Sequence, residues 1–208
     1  MGHDIVVIGA SAGGVEALST LCAGIPADFP AAIFVVQHIA PTARSVLPEL
    51  LDRLSALSVS HAVDGVAIRS GHVYVAPPDH HMLLTPGRVI LRQGPHENRT
   101  RPAADPLFRS AGVVYGPRVI GLVLTGLLDD GTAGLIAIKQ CGGISVIQDP
   151  EDALWPDMPR NALQRDSVDY RVALAELPEL LQRLEAVMDL WVGNDQAVGH
   201  ECPQAVPL

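Results

Sequence analysis

The fold is decided by one stretch near the start of the chain, Ile5-Val6-Val7-Ile8-Gly9-Ala10-Ser11-Ala12-Gly13-Gly14. Its first half is an apolar, β-branched run typical of a buried strand; small residues follow at once, and a helical pattern begins near Val15. Residues 9–13 match G-x-S-x-G, a tight turn between strand and helix that exposes a serine hydroxyl. The stretch therefore predicts Ser11 at the carboxyl end of a parallel strand, beside a helix N-terminus.

Three interpretations of Ser11 follow from this turn. Ser11 could cap the helix that follows, as serine often does. The turn could be a dinucleotide loop, because Gly9-x-Ser11-x-x-Gly14 differs from G-x-G-x-x-G at one position. Ser11 could also be a catalytic nucleophile, with the positive end of the helix dipole favouring a developing oxyanion. The stretch alone leaves all three open.

Composition limits the class of protein. The chain has 208 residues, 48% hydrophobic and 18% charged, which favours one compact α/β domain over a disordered chain. The net charge of −9 argues against nucleic acid or an anionic membrane as the main partner. The sequence has no apolar run of transmembrane length and no basic leader region, so we predict a cytoplasmic protein. The three cysteines lie too far apart for a metal site, and we expect no metal.

Strand-like and helix-like segments alternate, which predicts a doubly wound, mostly parallel sheet in a three-layer α/β/α arrangement. We place the domain at residues 1–192 and a disordered tail at 193–208. Pro86-Gly87 predicts a hairpin joining strands 81–85 and 88–92, as an antiparallel pair at one edge of the sheet. The other predicted strands are 4–9, 32–37, 59–62, 72–76, 119–124 and 144–148. The predicted helices are 15–23, 43–57, 106–114, 132–140, a short helix starting at Pro159, and one within 174–191.

In an open parallel sheet, ligands bind beyond the carboxyl ends of the strands. Three predicted strands deliver Ser11, His38 and the pair Asp129-Asp130 to that edge. These residue types have the three roles of a triad, namely nucleophile, general base and orienting carboxylate. A dinucleotide loop would need an acid near Gln37, at the end of the second strand, and the acid is absent there.

Each member of this triad has a competitor. His38 could be a core-edge histidine bonded to a backbone carbonyl, and His80 and His81 are rival bases beside the predicted hairpin. Asp130 could cap the helix that begins at Thr132, and Asp129 competes with it for the triad. The chain order Ser, His, Asp differs from the Ser, acid, His order of α/β-hydrolases, so an ordinary esterase of that superfamily is not expected.

Several strings, taken together, resemble the catalytic domain of the CheB-type chemoreceptor methylesterases, with matching spacing from about residue 4 to 185. The strings are VIGASAGG at 7–14, VVQH at 35–38, GHVYVAPP at 71–78, RPAADPLF at 101–108, LTGLLDDG at 124–131 and MPR at 158–160.

The resemblance implies a serine hydrolase that removes methyl groups from glutamyl γ-methyl esters on receptor signalling helices. It also implies a second activity, deamidation of receptor glutamines. It assigns the nucleophile to Ser11, the base to His38 and the orienting acid to Asp130. The backbone N–H groups of Ala12 and Leu127 would bind the oxyanion. No cofactor is expected. The expected partners are methylated receptor helices and, as a further candidate, a separate regulatory protein.

The sequence departs from the family pattern in three respects. Ala12 stands where the family usually has threonine, and Leu127-Leu128 replaces its usual Met-Gly pair. We also expect a catalytic domain without the family's usual phosphorylation-receiver domain. These departures keep two alternative functions open: hydrolysis of another ester or amide, and a binding module that retains the fold without catalysis.

Overall fold

A computed structural model describes residues 2–42, 45–165 and 167–186. Its main sheet has seven strands, all parallel. The strands are β1 (Ile5–Ala10), β2 (Ala32–Gln37), β3 (Ser58–His61), β4 (His72–Val75), β7 (Val119–Val123), β8 (Ile144–Gln148) and β9 (Tyr170–Val172), with β5 (His81–Thr85) and β6 (Arg88–Arg92) forming a separate hairpin. The spatial order is β3-β4-β2-β1-β7-β8-β9, so β1 and β2 lie side by side at the centre.

Helices cover both faces of the sheet. They are α1 (Gly14–Gly24), α2 (Leu47–Leu54), α3 (Ala104–Tyr115), α4 (Thr132–Gln140), α5 (Asp157–Arg165) and α6 (Leu177–Ala186). One buried cluster joins α1, α2 and α6 to the sheet face that carries Ile8, and the other joins α3, α4 and α5 to the face that carries Val7. Neighbouring residues of β1 therefore serve opposite cores, as expected of a strand buried on both sides. The predicted doubly wound α/β fold is confirmed.

The hairpin lies elsewhere than we predicted. Strands β5 and β6 form a two-stranded sheet of their own and do not extend the edge of the parallel sheet. The hairpin attaches to α3 instead: the Leu84 N–H donates to Ser110 Oγ at 3.0 Å, and the Gly87 N–H donates to the Tyr115 hydroxyl at 2.9 Å. Its apolar residues Met82, Leu84 and Val89 are buried in the same core as α3, which explains this position.

The observed elements differ from the predicted ones at a proline and at an exposed strand. Helix α2 begins at Leu47 because Pro48 lies in its first turn, where proline is tolerated. Strand β9 was not predicted, since its residues are mostly exposed and carry no apolar run. Residues 43 and 44, the predicted helix end at 187–191 and the predicted tail at 193–208 lie outside the described residues. Within the described ranges, no helix combines the length and apolarity needed to cross a lipid bilayer.

Candidate active site

Ser11 lies in the turn between β1 and α1, and its backbone is fixed on two sides. Its N–H donates to the Thr125 carbonyl at 3.0 Å, and its own carbonyl accepts hydrogen bonds from the Gly14 N–H (2.9 Å) and Gln37 Nε2 (2.8 Å). Gly13 completes the turn with a φ of 73°, a left-handed conformation that favours glycine. Gly13 is the N-cap residue of α1, so Ser11 does not cap this helix.

His38 follows β2 directly and lies beside the end of β1. Its N–H donates to the Ala10 carbonyl at 3.0 Å, which brings its backbone next to Ser11. The imidazole Nε2 lies 2.6 Å from Asp130 Oδ2. An ionised carboxylate can only accept, so Nε2 carries the proton in this hydrogen bond. The ring therefore leaves Nδ1 as its basic nitrogen.

Asp130 is buried, with 1% of its surface exposed. Besides His38, three donors reach its carboxylate: Asn98 Nδ2 at 2.6 Å, the Ala104 N–H at 2.6 Å and the Asp105 N–H at 3.1 Å. Burial alone would raise the pKa of Asp130, but the hydrogen bonds from His38, the Ala104 N–H and Asn98 outweigh burial and lower it. Asp130 is thus held as a carboxylate in contact with the imidazole.

The structure separates the two neighbouring aspartates. Asp129 is directed to the surface, where its Oδ2 lies 2.9 Å from Arg165 Nη1. Asp130 is directed inward to His38 and does not cap α4, because the N-cap residue of α4 is Gly131 and has no side chain. The N-terminus of α4 is instead served by Asp105, whose Oδ1 accepts the N–H groups of Gly131 (3.1 Å) and Gly134 (2.7 Å).

The imidazoles of His80 and His81, the other two candidate bases, are hydrogen-bonded to backbone groups. His80 Nδ1 lies 3.0 Å from the Pro78 carbonyl. His81 is buried, with Nε2 bonded to the Pro95 carbonyl at 2.8 Å and Nδ1 accepting the Ala103 N–H at 3.3 Å. Neither histidine has a hydrogen bond to a carboxylate in the part of the chain that the structure describes.

Of the three predicted residues, His38 and Asp130 are hydrogen-bonded, while Ser11 and His38 are brought together only through their backbones. Within the described ranges the Ser11 hydroxyl makes no hydrogen bond, so it is not bonded to the imidazole in this conformation. Catalytic hydrogen bonds are often long in ligand-free enzymes and shorten when substrate binds.

A second loop packs against Ser11 and carries Leu127. A Cβ placed on Gly126 would lie 2.8 Å from Ser11 Cβ, so only glycine allows the two segments to approach this closely. Gly126 is held by the Trp155 carbonyl, which accepts its N–H at 2.8 Å, and by the Met158 N–H, which donates to its carbonyl at 3.0 Å. Leu127 therefore follows a fixed residue beside the serine.

The two expected oxyanion donors are free of protein acceptors. Among the residues that the structure describes, neither the Ala12 N–H nor the Leu127 N–H donates a backbone hydrogen bond. Leu128 has a φ of 67°, so it keeps a left-handed conformation that glycine would adopt without strain.

Sequence reasoning missed Asn98 and Asp105. Asn98 Nδ2 donates to Asp105 Oδ2 at 2.7 Å as well as to Asp130. Asn98 and Asp105 precede Asp130 by 32 and 25 positions, the first in a turn and the second in the first turn of α3, so no strand or helix pattern linked either of them to the acid. The one available signal was the string RPAADPLF at 101–108, which contains Asp105 and begins three residues after Asn98.

A cleft of about 320 Å³ opens beside His38. It is lined by His38, Ile39, Ala40, Pro41, His96, Arg99, Thr100 and Arg101. Arg101 is held by Asp79, with Nε 2.9 Å from Oδ1, which lowers the pKa of Asp79. No cluster of three or more His, Cys, Asp or Glu side chains in the described part of the chain has the geometry of a metal site.

The sequence and structure of this chain are similar to those of proteins named as methylesterases. The family model described as CheB methylesterase matches residues 6–181. A putative protein-glutamate methylesterase/protein-glutamine glutaminase of Leptospira interrogans is 39% identical over 186 residues, covering 89% of this chain and 96% of that protein. The enzyme of the same name from Chromohalobacter salexigens is 38% identical, covering 88% of this chain and 53% of its own length.

The crystal structure of the Thermotoga maritima CheB methylesterase catalytic domain superposes with a TM-score of 0.83 at 36% identity, covering 87% of this chain and 98% of that domain. The match covers the strands and helices that carry Ser11, His38 and Asp130. The chain therefore belongs to the CheB methylesterase family.

Proposed function

We propose that this chain is a protein-glutamate methylesterase that hydrolyses glutamyl γ-methyl esters on methylated chemoreceptor-type proteins. The observation that carries the proposal is the 2.6 Å hydrogen bond between His38 and buried Asp130, beside the Ser11 turn, in a chain of this family. A histidine oriented by a carboxylate next to a serine is the arrangement that activates a hydroxyl for acyl transfer.

In the first half of the reaction, Ser11 Oγ attacks the ester carbonyl carbon while His38 Nδ1 takes the hydroxyl proton. The oxyanion accepts hydrogen bonds from the Ala12 and Leu127 N–H groups. The tetrahedral intermediate then collapses: the bond from carbon to the methoxy oxygen breaks, and the proton on His38 passes to that oxygen, giving methanol and an acyl-enzyme.

In the second half, a water molecule attacks the acyl-enzyme and gives its proton to His38 Nδ1. Collapse of this intermediate breaks the bond to Ser11 Oγ, which takes the proton back, and glutamate is released. A glutamine side chain would give the same acyl-enzyme with ammonia as the leaving group, which accounts for a protein-glutamine glutaminase activity at the same site. Neither reaction requires a cofactor.

A protein substrate is supported by apolar side chains exposed around the serine. Leu127 and Leu128 lie in the loop beside Ser11, and Leu154 contacts the space next to Gly13. Trp155, 45% exposed, is bonded to the same loop. Clustered exposed apolar residues mark protein contact sites, so we infer that these residues meet a receptor helix. A separate regulatory protein in the cytoplasm remains a further proposed partner.

The test is methanol release from a methylated receptor fragment by the unaltered protein and by Ser11→Ala. We expect a loss of at least roughly a thousandfold, because triad members act as a unit. Ser19→Ala is the matched control: Ser19 lies on α1 and its hydroxyl bonds only within the helix, to the Val15 carbonyl at 2.7 Å. Equal methanol release by Ser11→Ala and the unaltered protein would contradict the proposal.

The protein-substrate part has its own test. Leu154→Ser combined with Leu128→Ser should slow hydrolysis of the receptor fragment while leaving turnover of a small methyl ester within about twofold, because apolar contacts outside the reacting group serve the larger substrate. An equal loss on both substrates would point to damage at the catalytic site instead.

A further inference from the structure

Asn98 lies in a tight turn that is held against α3. The Glu97 N–H donates to the Thr100 carbonyl at 3.2 Å, and the Thr100 N–H donates to the Glu97 carbonyl at 2.9 Å. The two central residues, Asn98 and Arg99, have φ values of 49° and 66°, the left-handed pair that a two-residue hairpin turn requires and asparagine tolerates. Arg109 on α3 binds both carboxylate oxygens of Glu97, at 2.9 and 2.7 Å. The two backbone hydrogen bonds and the φ values of the turn set the direction of the Asn98 side chain, and the ion pair ties the turn to α3.

The Asn98 amide joins two buried carboxylates. Its Nδ2 lies 2.6 Å from Asp130 Oδ1 and 2.7 Å from Asp105 Oδ2, and an amide NH₂ has one proton for each. The other Asp130 oxygen faces His38. The other Asp105 oxygen accepts the N–H groups at the start of α4. Asn98 therefore occupies the position between the triad acid and the carboxylate that anchors the helix after it.

The pair of carboxylates creates a problem that Asn98 relieves. Burial raises the pKa of Asp105, and the negative charge of Asp130 raises it further, while Asn98 and the Gly134 N–H oppose the increase. Two adjacent carboxylates without a shared donor would separate by rotation, or one of them would take up a proton. A rotation of Asp130 would turn Oδ2 away from His38, and a proton on Asp130 would remove the negative charge that faces the imidazole.

We propose that Asn98 is a positioning residue of the esterase reaction, which holds Asp130 so that Oδ2 stays aligned with His38 Nε2. This inference rests on the proposed function, because it concerns the rate at the same site. Asn98 touches neither the substrate nor the reacting atoms, and it acts through Asp130.

The first test is Asn98→Gly, since glycine accepts the positive φ of the turn and only the amide is lost. We expect kcat for a methyl ester to fall roughly 10- to 100-fold with little change in KM, as when one hydrogen bond to a charged group is lost. Glu97→Gln is the control for loosening the turn, because it weakens the anchor to Arg109 and keeps the amide; kcat should stay within about twofold. An unchanged kcat in Asn98→Gly would overturn the proposal.

A double-mutant cycle separates positioning from a merely structural role. In an Asp130→Asn background, Asn98→Gly should cause no further loss of kcat, because its effect passes through the Asp130 carboxylate. Losses that multiply would overturn the proposal. If Asn98→Gly proves unstable, Asn98→Asp serves instead: it tolerates the same φ but donates no hydrogen bond, and its loss should be partly reversed by adding Asp105→Asn. Absence of that reversal would count against the proposal.

A readout without substrate distinguishes this inference from the proposed function. The proton on His38 Nε2, shared with Asp130 at 2.6 Å, should give a downfield proton NMR signal in the unaltered protein. In Asn98→Gly we expect that signal to shift upfield or disappear, whereas Glu97→Gln should retain it. An unchanged signal in Asn98→Gly would overturn the positioning role, even if the protein had no esterase activity. If Ser11→Ala loses esterase activity while Asn98→Gly keeps it, the proposed function stands and the positioning role of Asn98 fails.

Discussion

His38 contacts Asp130 through Nε2, with 2.6 Å between the ring nitrogen and Oδ2. In the chymotrypsin arrangement the aspartate binds Nδ1–H and the serine meets Nε2, so the imidazole of this chain is turned the other way. His38 comes directly after β2, and Asp130 reaches its Nε2 from the loop after β7.

This orientation predicts the resting tautomer of His38. We expect the proton on Nε2 and a bare Nδ1, which nitrogen-15 NMR of selectively labelled histidine can distinguish. Asp130→Asn, which lacks the accepting charge, should mix the two tautomers and lower kcat by about a thousandfold or more. A proton found on Nδ1 in the unaltered protein would contradict the proposed path of the Ser11 proton.

The approach of Gly126 to Ser11 predicts the effect of a single methyl group. A Cβ at this position would lie 2.8 Å from Ser11 Cβ and would also meet the Met158 sulfur. Met158 is flexible at that end, but the Ser11 turn is fixed by three hydrogen bonds, so Gly126→Ala should displace the serine or the Leu127 N–H and lower kcat by roughly a hundredfold.

Gly94→Ala is the matched control for this substitution. A Cβ on Gly94 would meet nothing within 4 Å, so kcat should stay within about twofold. Methanol release by the two variants checks the prediction. Similar rates for Gly126→Ala and the unaltered protein would show that the loop is not as close to the serine as the structure places it.

The backbone conformation of Leu128 predicts that replacing this residue with glycine increases the free energy of unfolding. Its φ of 67° is unfavourable for a residue with a Cβ, and 53% of its surface is exposed, so little apolar burial would be lost. The Asn161 amide, which donates to the Leu128 carbonyl at 2.7 Å, holds this conformation. Leu128→Gly should raise the free energy of unfolding by roughly 0.5 kcal/mol after allowance for the greater freedom of glycine in the unfolded chain.

Leu128→Ala keeps the Cβ and should give no such gain. Urea unfolding of the two variants and the unaltered protein measures the difference. A glycine variant less stable than the alanine variant would contradict the strain argument.

The raised pKa of Asp105 predicts a pH-dependent effect of Asp105→Asn. Because the folded protein binds the Asp105 proton more tightly than the unfolded chain does, the stability that this proton contributes is lost as pH rises through the folded pKa. Asp105→Asn has no such proton to lose. The variant should therefore gain stability relative to the unaltered protein between about pH 4 and pH 7.

Urea unfolding at both pH values checks the sign of this change. The asparagine oxygen can still accept the Gly131 and Gly134 N–H groups, so the anchor to α4 is retained. A difference that stays constant, or that falls as pH rises, would contradict the assignment of Asp105 as a buried carboxylate repelled by Asp130.

The sequence predicted those features that local patterns encode. The apolar runs at β1, β2 and β7 predicted central strands, and the ends of parallel strands meet at one edge, so Ser11, His38 and the pair Asp129-Asp130 could be assigned to that edge together. The choice of Asp130 over Asp129 came from the family resemblance. Pro86-Gly87 also predicted the hairpin turn correctly. What the pattern could not encode was where the hairpin packs, because either the sheet edge or α3 could bury its apolar residues.

The hydrogen bonds that Asn98 and Asp105 make around Asp130 could not be predicted from the sequence, for a different reason. Asn98 contacts Asp130 across 32 positions, and Asp105 contacts Gly131 and Gly134 across 26 and 29. Polar residues in a turn have no periodicity from which a partner can be predicted. Their pairing depends on how α3 and α4 pack, and only the folded structure specifies that packing.

The central claim is that Ser11 is the nucleophile activated by His38. A serine-directed fluorophosphonate tests it most directly, followed by mass spectrometry of the proteolysed protein. The account predicts one adduct, on the peptide that carries Ser11, with labelling abolished in Ser11→Ala and strongly slowed in His38→Ala. An active protein that takes no label at Ser11, or that labels equally fast without the imidazole of His38, would contradict it.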